Sequence, residues 1–239
     1  MHHLMRGTLA ALSLVPLMLG TAAQAATRTY IVTDFDSVRV EAPIAVAIAT
    51  KRGVTARGEG DAEFLERLDL SVSARVLTVR LKPSPFEGRR SAVGATPRLL
   101  LTVPALRSAQ LAGSGTLAIE GMNAQTARIM SSGSGMLSAA GIDADTLTVL
   151  QQGSGTVRLT GKARKSIMQL SGSGVVAAPA LTVSDLEVTA EGAGVVNTLA
   201  TRSAKVVALG AASVTVDRHP ACTVRHTGSG TVTCSGEDF

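Results

Sequence analysis

Large aliphatic residues recur through the second half of the chain at set distances from a glycine. Four residues after Gly113, Gly133, Gly153, Gly172, Gly192, Gly210 and Gly228 stand Leu117, Leu137, Val157, Val176, Val196, Val214 and Val232. Four residues before the same glycines stand Ala109, Ile129, Val149, Met168, Val188, Val206 and Val224. Six residues after them stand Ile119, Ala139, Leu159, Ala178, Thr198, Val216 and Cys234. Intervening positions such as Thr116, Thr148, Thr156, Arg158 and Glu187 are mostly polar. Apolar positions at a period of two mark strands with one edge turned inward. The pattern predicts two short strands per repeat, one on each side of the glycine.

Each of these glycines opens a small-residue step: Gly-Ser-Gly at 113, 133, 153, 172 and 228, Gly-Ala-Gly at 192 and Gly-Ala-Ala at 210. Successive first glycines lie 20, 20, 19, 20, 18 and 18 residues apart. A fixed period of this length marks a solenoid, whose coils bury their apolar faces against one another. So short a repeat cannot hold two strands and a crossover helix. The expected fold is therefore all-β, a right-handed parallel β-helix with coils of 18–20 residues. At one strand spacing per coil the seven repeats would stand about 34 Å tall. Glycine suits the corners because it adopts backbone angles that a Cβ forbids. The serines between are expected to form a hydroxyl ladder along the stack.

The N-terminal part, residues 26–112, reads as irregular and β-rich, and residues 113–239 as the repeat coils of the same continuous domain. Ser37–Val40, Ile44–Ile48, Leu70–Val72 and Val76–Leu81 read as strands, and Arg98–Val103 as a buried strand feeding the repeats. Residues 61–68 read as a short helix capped by Asp61. The stretch 82–97, with Pro83, Pro85, Gly88, Gly94 and Pro97, reads as a loop.

Residues 1–25 do not fit this pattern. Arg6, the apolar run from Thr8 to Gly20 and Ala23-Gln24-Ala25 form a secretory signal peptide, with cleavage expected after Ala25. The remaining chain has no second apolar span. Export places it in the periplasm, at the cell surface or in the medium. The net charge of the whole chain is +5. Residues 26–112 hold 13 basic and 9 acidic groups against 9 and 9 in 113–239, so the repeats are neutral. Export, the modest surplus and an aromatic set of four Phe, one Tyr and no Trp argue against a nucleic-acid partner.

Candidate chemistry is sparse. The corner serines lack the strand-to-helix setting of a nucleophile elbow, and only His219 and His226 lie beyond the leader. His219, Cys222, His226 and Cys234 match no common zinc spacing. As the only cysteines of an exported chain, Cys222 and Cys234 are expected to form a disulfide that staples the last coil. The corners lack the aspartates of a calcium-binding roll. Among the repeat-region acids, Asp143 and Asp145 form a pair that reads as a solvated turn, or else as a sugar-cleaving dyad. Lys82, Arg89, Arg90 and Arg98 make a basic loop. No metal site, cofactor or catalytic residue is expected.

The short N-terminal strands, the Leu-Leu-Leu-Thr-Val-Pro run at 99–104 and the Gly-Ser-Gly coils that follow resemble the head GIN domain family. Its members are described as auto-transporter adhesins or as a domain of unknown function. The similarity runs from about Phe35 to Thr233 and implies an exported bacterial β-helix without established catalysis. The chain ends at Phe239 directly after the coils, so no membrane barrel is expected within it. Together these readings point to a non-enzymatic, adhesin-like binding or structural protein, its partner a glycan, an envelope component or another protein. The competing reading is a polysaccharide lyase or hydrolase on the same scaffold.

Overall fold

The computed structural model describes residues 26–83 and 97–239. The expected leader and Arg89 and Arg90 of the basic loop lie outside the described residues. The chain is nearly all β, 75% strand and 3% helix, and coils into a β-solenoid of about 6 turns.

The N-terminal part comprises β1 (Ala26–Tyr30), β2 (Ser37–Val40), β3 (Ala45–Thr50), β4 (Thr55–Gly60), α1 (Ala62–Arg67), β5 (Leu68–Ser73), β6 (Val76–Leu81) and β7 (Arg98–Val103). Asp61 caps α1 through its carboxylate, which accepts a 3.1 Å hydrogen bond from the Phe64 N–H. β8 (Ser108–Gly113) leads into five strands that each run nearly a whole coil: β9 (Thr116–Gly133), β10 (Met136–Gly153), β11 (Thr156–Gly172), β12 (Val175–Gly192) and β13 (Val195–Gly210). β14 (Ser213–Asp217), β15 (Ala221–Gly228), β16 (Thr231–Cys234) and the two-residue β17 (Glu237–Asp238) complete the chain.

Neighbouring coils pair in parallel with equivalent residues in register. Leu137 stacks on Leu117 and on Val157, and Val149 stacks on Ile129 and on Met168. Every aliphatic four residues after a first glycine is buried, from Leu117 to Val232. Burying each such side chain is worth about 1.5–3 kcal/mol before entropy is counted.

Two sequence expectations change. Each coil has three inward segments, not two: in β10 the buried residues are Leu137 and Ala139, then Ile142 and Ala144, then Leu147, Val149 and Gln151. Alternation skips a beat at Ala140-Gly141 and at Asp145-Thr146, where two successive residues face away from the core, and these are additional corners. The serine ladder is the second change. Ser114, Ser134, Ser154 and Ser173 are exposed, and backbone groups tie the corner instead. The Gly133 carbonyl accepts from both Ser154 N–H (3.1 Å) and Gly155 N–H (2.9 Å), and the bond recurs at neighbouring coils.

The uneven spacing has a local cause. Thr160 of β11 replaces two residues of β10, so the ladder slips between Ala139 and Ile142 and the repeat shortens to 19. Between β12 and β13 it slips twice, after Ala178 and after Val183, which leaves 18.

The N-terminal strands are solenoid rungs stacked out of sequence order. β2 pairs in parallel with β6 on one side and β8 on the other, and β3 likewise lies between β7 and β9. Val46 is thus held between Leu99 and Leu117 in one inward column. The outermost rung, β6 and β7, is closed by antiparallel β5 and β4, and β1 pairs with β4. Antiparallel pairing thus satisfies the outer backbone groups of β6 and β7 and moves the sheet edges to β5 and β1.

Candidate functional site

The corner after the first strand of each coil builds the main groove. Gly121, Gly141 and Gly161 sit there with φ of 84°, 68° and 129°, a region that L side chains rarely adopt. At Gly161 a Cβ would collide with the Ile142 carbonyl oxygen, so the close approach of the coils also demands glycine. Their missing side chains leave an open groove of about 480 Å³ with Lys51, Asn123, Asp143, Lys162 and Thr182 among its lining residues. A second depression beside it is lined by Asp145, Arg164 and Ser184 as well as Asp143 and Lys162.

This groove was missed by reading the Gly-Ser-Gly steps alone. Its signal is a glycine eight residues after a first glycine, at 121, 141, 161 and again at 236. The column is broken by Ala180, Ala200 and Arg218, and Arg218 itself takes a φ of 76°.

Asp143 and Asp145 both line these depressions, and each is matched by a cation of the next coil. Lys162 Nζ lies 3.2 Å from Asp143, and Arg164 Nε lies 2.9 Å from Asp145. A sugar-cleaving acid needs a carboxyl held protonated by an apolar pocket; both of these sit half-exposed beside a positive charge. The same rung-to-rung pairing recurs two coils on. Asp185 meets Arg202 and Ser203, and Glu187 meets Lys205 at 2.9 Å. Hydrogen bonds from Arg202 and then Ser203 pull the Asp185 carboxyl down to about 2, and Lys205 lowers Glu187. These four rung-to-rung pairs engage four of the nine basic and four of the nine acidic groups of residues 113–239.

The other candidates separate. Cys222 and Cys234 are joined in a disulfide, with Cα atoms 6.4 Å apart. The bond uses both sulfurs of the imagined zinc set. His219 is exposed in a turn at φ 50°, while His226 points inward with its Nε2 buried and without a hydrogen-bond partner. Among the described residues no group of three or more His, Cys, Asp or Glu could hold a metal ion. No described helix is long and apolar enough to cross a membrane. The first glycines of all seven steps have positive φ, from 90° at Gly210 to 132° at Gly228.

Solved structures share this architecture. An adhesin of Bacteroides fragilis, described as putative, superposes with a TM-score of 0.79 at 20% identity, covering 89% of this chain and 97% of that one. A protein of Parabacteroides distasonis described as a putative lipid binding protein gives 0.68 at 18% identity, over 88% and 96% of the two chains. A putative adhesin of Parabacteroides merdae gives 0.63 at 16%, again over 88% and 96%. At these identities the likeness concerns the fold. No curated protein matches the chain. The family model described as putative auto-transporter adhesin, head GIN domain, matches residues 34–220, and the chain belongs to that family.

Proposed function

We propose that the protein is an exported, non-enzymatic binding protein of the adhesin type that engages a glycan along the glycine-floored groove. The observation that carries this reading is the groove itself. Gly121, Gly141 and Gly161 clear its floor, the last offset by the slip that sets it against Ile142, while Asn123, Thr182 and the Lys162–Asp143 pair offer donors and acceptors at intervals of one coil. An extended sugar chain presents hydroxyls at comparable repeats and hydrogen-bonds well to such side chains. The Asp143 and Asp145 carboxylates are ion-paired and the two cysteines are bonded to each other, so neither set offers an activated acid or nucleophile. The leader over residues 1–25 fits delivery to the envelope or cell surface, where an adhesin acts.

The test is a glycan array probed with the purified protein and with Asn123→Trp, which fills the groove from an exposed position. Binding that Asn123→Trp abolishes without lowering the melting temperature supports the reading. Release of reducing ends from a bound polysaccharide would replace it with the lyase or hydrolase alternative.

A further inference from the structure

A second pocket, away from the glycine groove, lies where the N-terminal rungs meet the repeats. It is lined by Ser37, Arg107, Ser108, Thr126 and Arg128 and holds about 310 Å³. Ser37, Ser108 and Arg128 are successive steps of one outward column, because Ser37 pairs with Ser108 and Ser108 with Arg128. Adjacent steps therefore sit about 4.8 Å apart.

The arginine backbones are fixed. Arg107 N–H donates to the Asp36 carbonyl at 2.8 Å, and Arg128 N–H donates to the Arg107 carbonyl at 2.9 Å. The Arg107 side chain is also held, its Nε 2.9 Å from the Asp36 carboxylate. Asp36 takes a second guanidinium, with Arg75 Nε at 2.8 Å, and the Ser37 hydroxyl at 2.9 Å. Partial burial would raise this carboxyl, but the bonds from Arg75, Ser37 and Arg107 outweigh it and hold it below its ordinary value. Asp36 thus stays ionised and holds Arg107 through its Nε, and no ion pair is made by the terminal nitrogens of that guanidinium among the described residues.

Arg128 has no carboxylate partner among the described residues, and neither the Ser108 nor the Thr126 hydroxyl makes a side-chain hydrogen bond there. The lining therefore offers the Arg128 guanidinium, the remaining donors of Arg107 and two hydroxyls, and its adjoining carboxylate, Asp36, is already taken up by Arg107, Arg75 and Ser37. Planar guanidinium forks and hydroxyls are the recognition set for tetrahedral oxyanions.

We infer that this pocket binds a phosphate or sulfate monoester carried by a sugar. The pocket is larger than a lone oxyanion needs. Among the described residues the exposed large apolar side chains are Ile31, Met136, Leu209 and Phe239, none of which lines it, so the lining offers no apolar seat for an acyl chain. This inference is independent of the glycan groove and stands or falls separately from it.

The test is titration of the purified protein, followed by amide NMR and calorimetry, with a hexose phosphate, with inorganic phosphate and with phosphatidic acid vesicles. The expected result is saturable binding of the hexose phosphate, with shifts centred on Ser108, Thr126 and Arg128. Arg128→Gln, at an exposed position, should weaken it about 10-fold or more, whereas Arg225→Gln at the other end of the solenoid should not change it. No saturable binding, binding untouched by both Arg128→Gln and Arg107→Gln, inorganic phosphate binding as tightly as the sugar ester, or a preference for the vesicles would each overturn it.

Discussion

A Cβ placed on Gly153 would stand 2.7 Å from the carbonyl oxygen of Gly133 in the coil before it. The same contact recurs between Gly133 and Gly113, and between Gly172 and Gly153. Each corner backbone therefore rests on the previous corner with no room for a methyl group. Gly113 differs, since nothing lies within 4 Å of its Cβ position, although its φ is 98°. Gly153→Ala should then carry both a steric and a conformational penalty, about 2–4 kcal/mol, and Gly113→Ala the conformational part alone, about 1–2 kcal/mol. Urea unfolding of the two variants checks the difference; equal losses would deny the steric contact.

Gln151 and Ser131 are neighbours in one inward column, buried, with no hydrogen-bond partner for either side chain. The next step of the column is Leu170. Gln151→Leu removes an unpaired buried amide and continues the aliphatic column. It should raise stability by about 1–2 kcal/mol, read as a higher urea midpoint at unchanged slope. A loss of stability would mean that the amide has a partner in solution.

The bonded Cys222 and Cys234 are 12 residues apart in sequence and fasten the last coil, where β15 pairs with β13 alone. Reduction should cost about 2–3 kcal/mol. It should also speed amide exchange in β15 and β16 while β9 to β12 stay protected. Uniform loss of protection along the solenoid would contradict this local role.

The Asp185 carboxyl, held at about 2, is depressed by the fold relative to its ordinary value of 3.8. A depressed folded value means that the ionised form is favoured by folding. The contribution to stability is complete above about pH 4 and is lost as the pH falls toward 2. Carboxyl-carbon NMR should find its midpoint near 2 in the native chain and closer to the ordinary value in Arg202→Gln. A midpoint near 4 in the native chain would remove the pairing.

The inward columns were legible in the sequence because bulky aliphatics recur at fixed offsets from Gly113 through Gly228. Periodicity reports which residues share a coil position, and at that task it succeeded. It reports nothing about rungs placed out of order, so the lodging of Val46 between Leu99 and Leu117 was hidden. The third side of the coil was hidden for another reason. Its segment around Ile142 and Ala144 is too short to show alternation, and its glycine column lapses at Ala180. The pairing of Asp143 with Lys162 was invisible because neither residue shares a local motif with the other; only the stacking register brings them together.

The stacking of the corners is the claim on which the rest stands. Spin labels at Ser114→Cys and Ser229→Cys, both exposed corner serines, lie six coil spacings apart, about 29 Å at the parallel-strand repeat. A pulsed electron–electron dipolar measurement should return one narrow distance population near that value. A broad distribution, or a separation beyond about 40 Å, would contradict a single in-register stack.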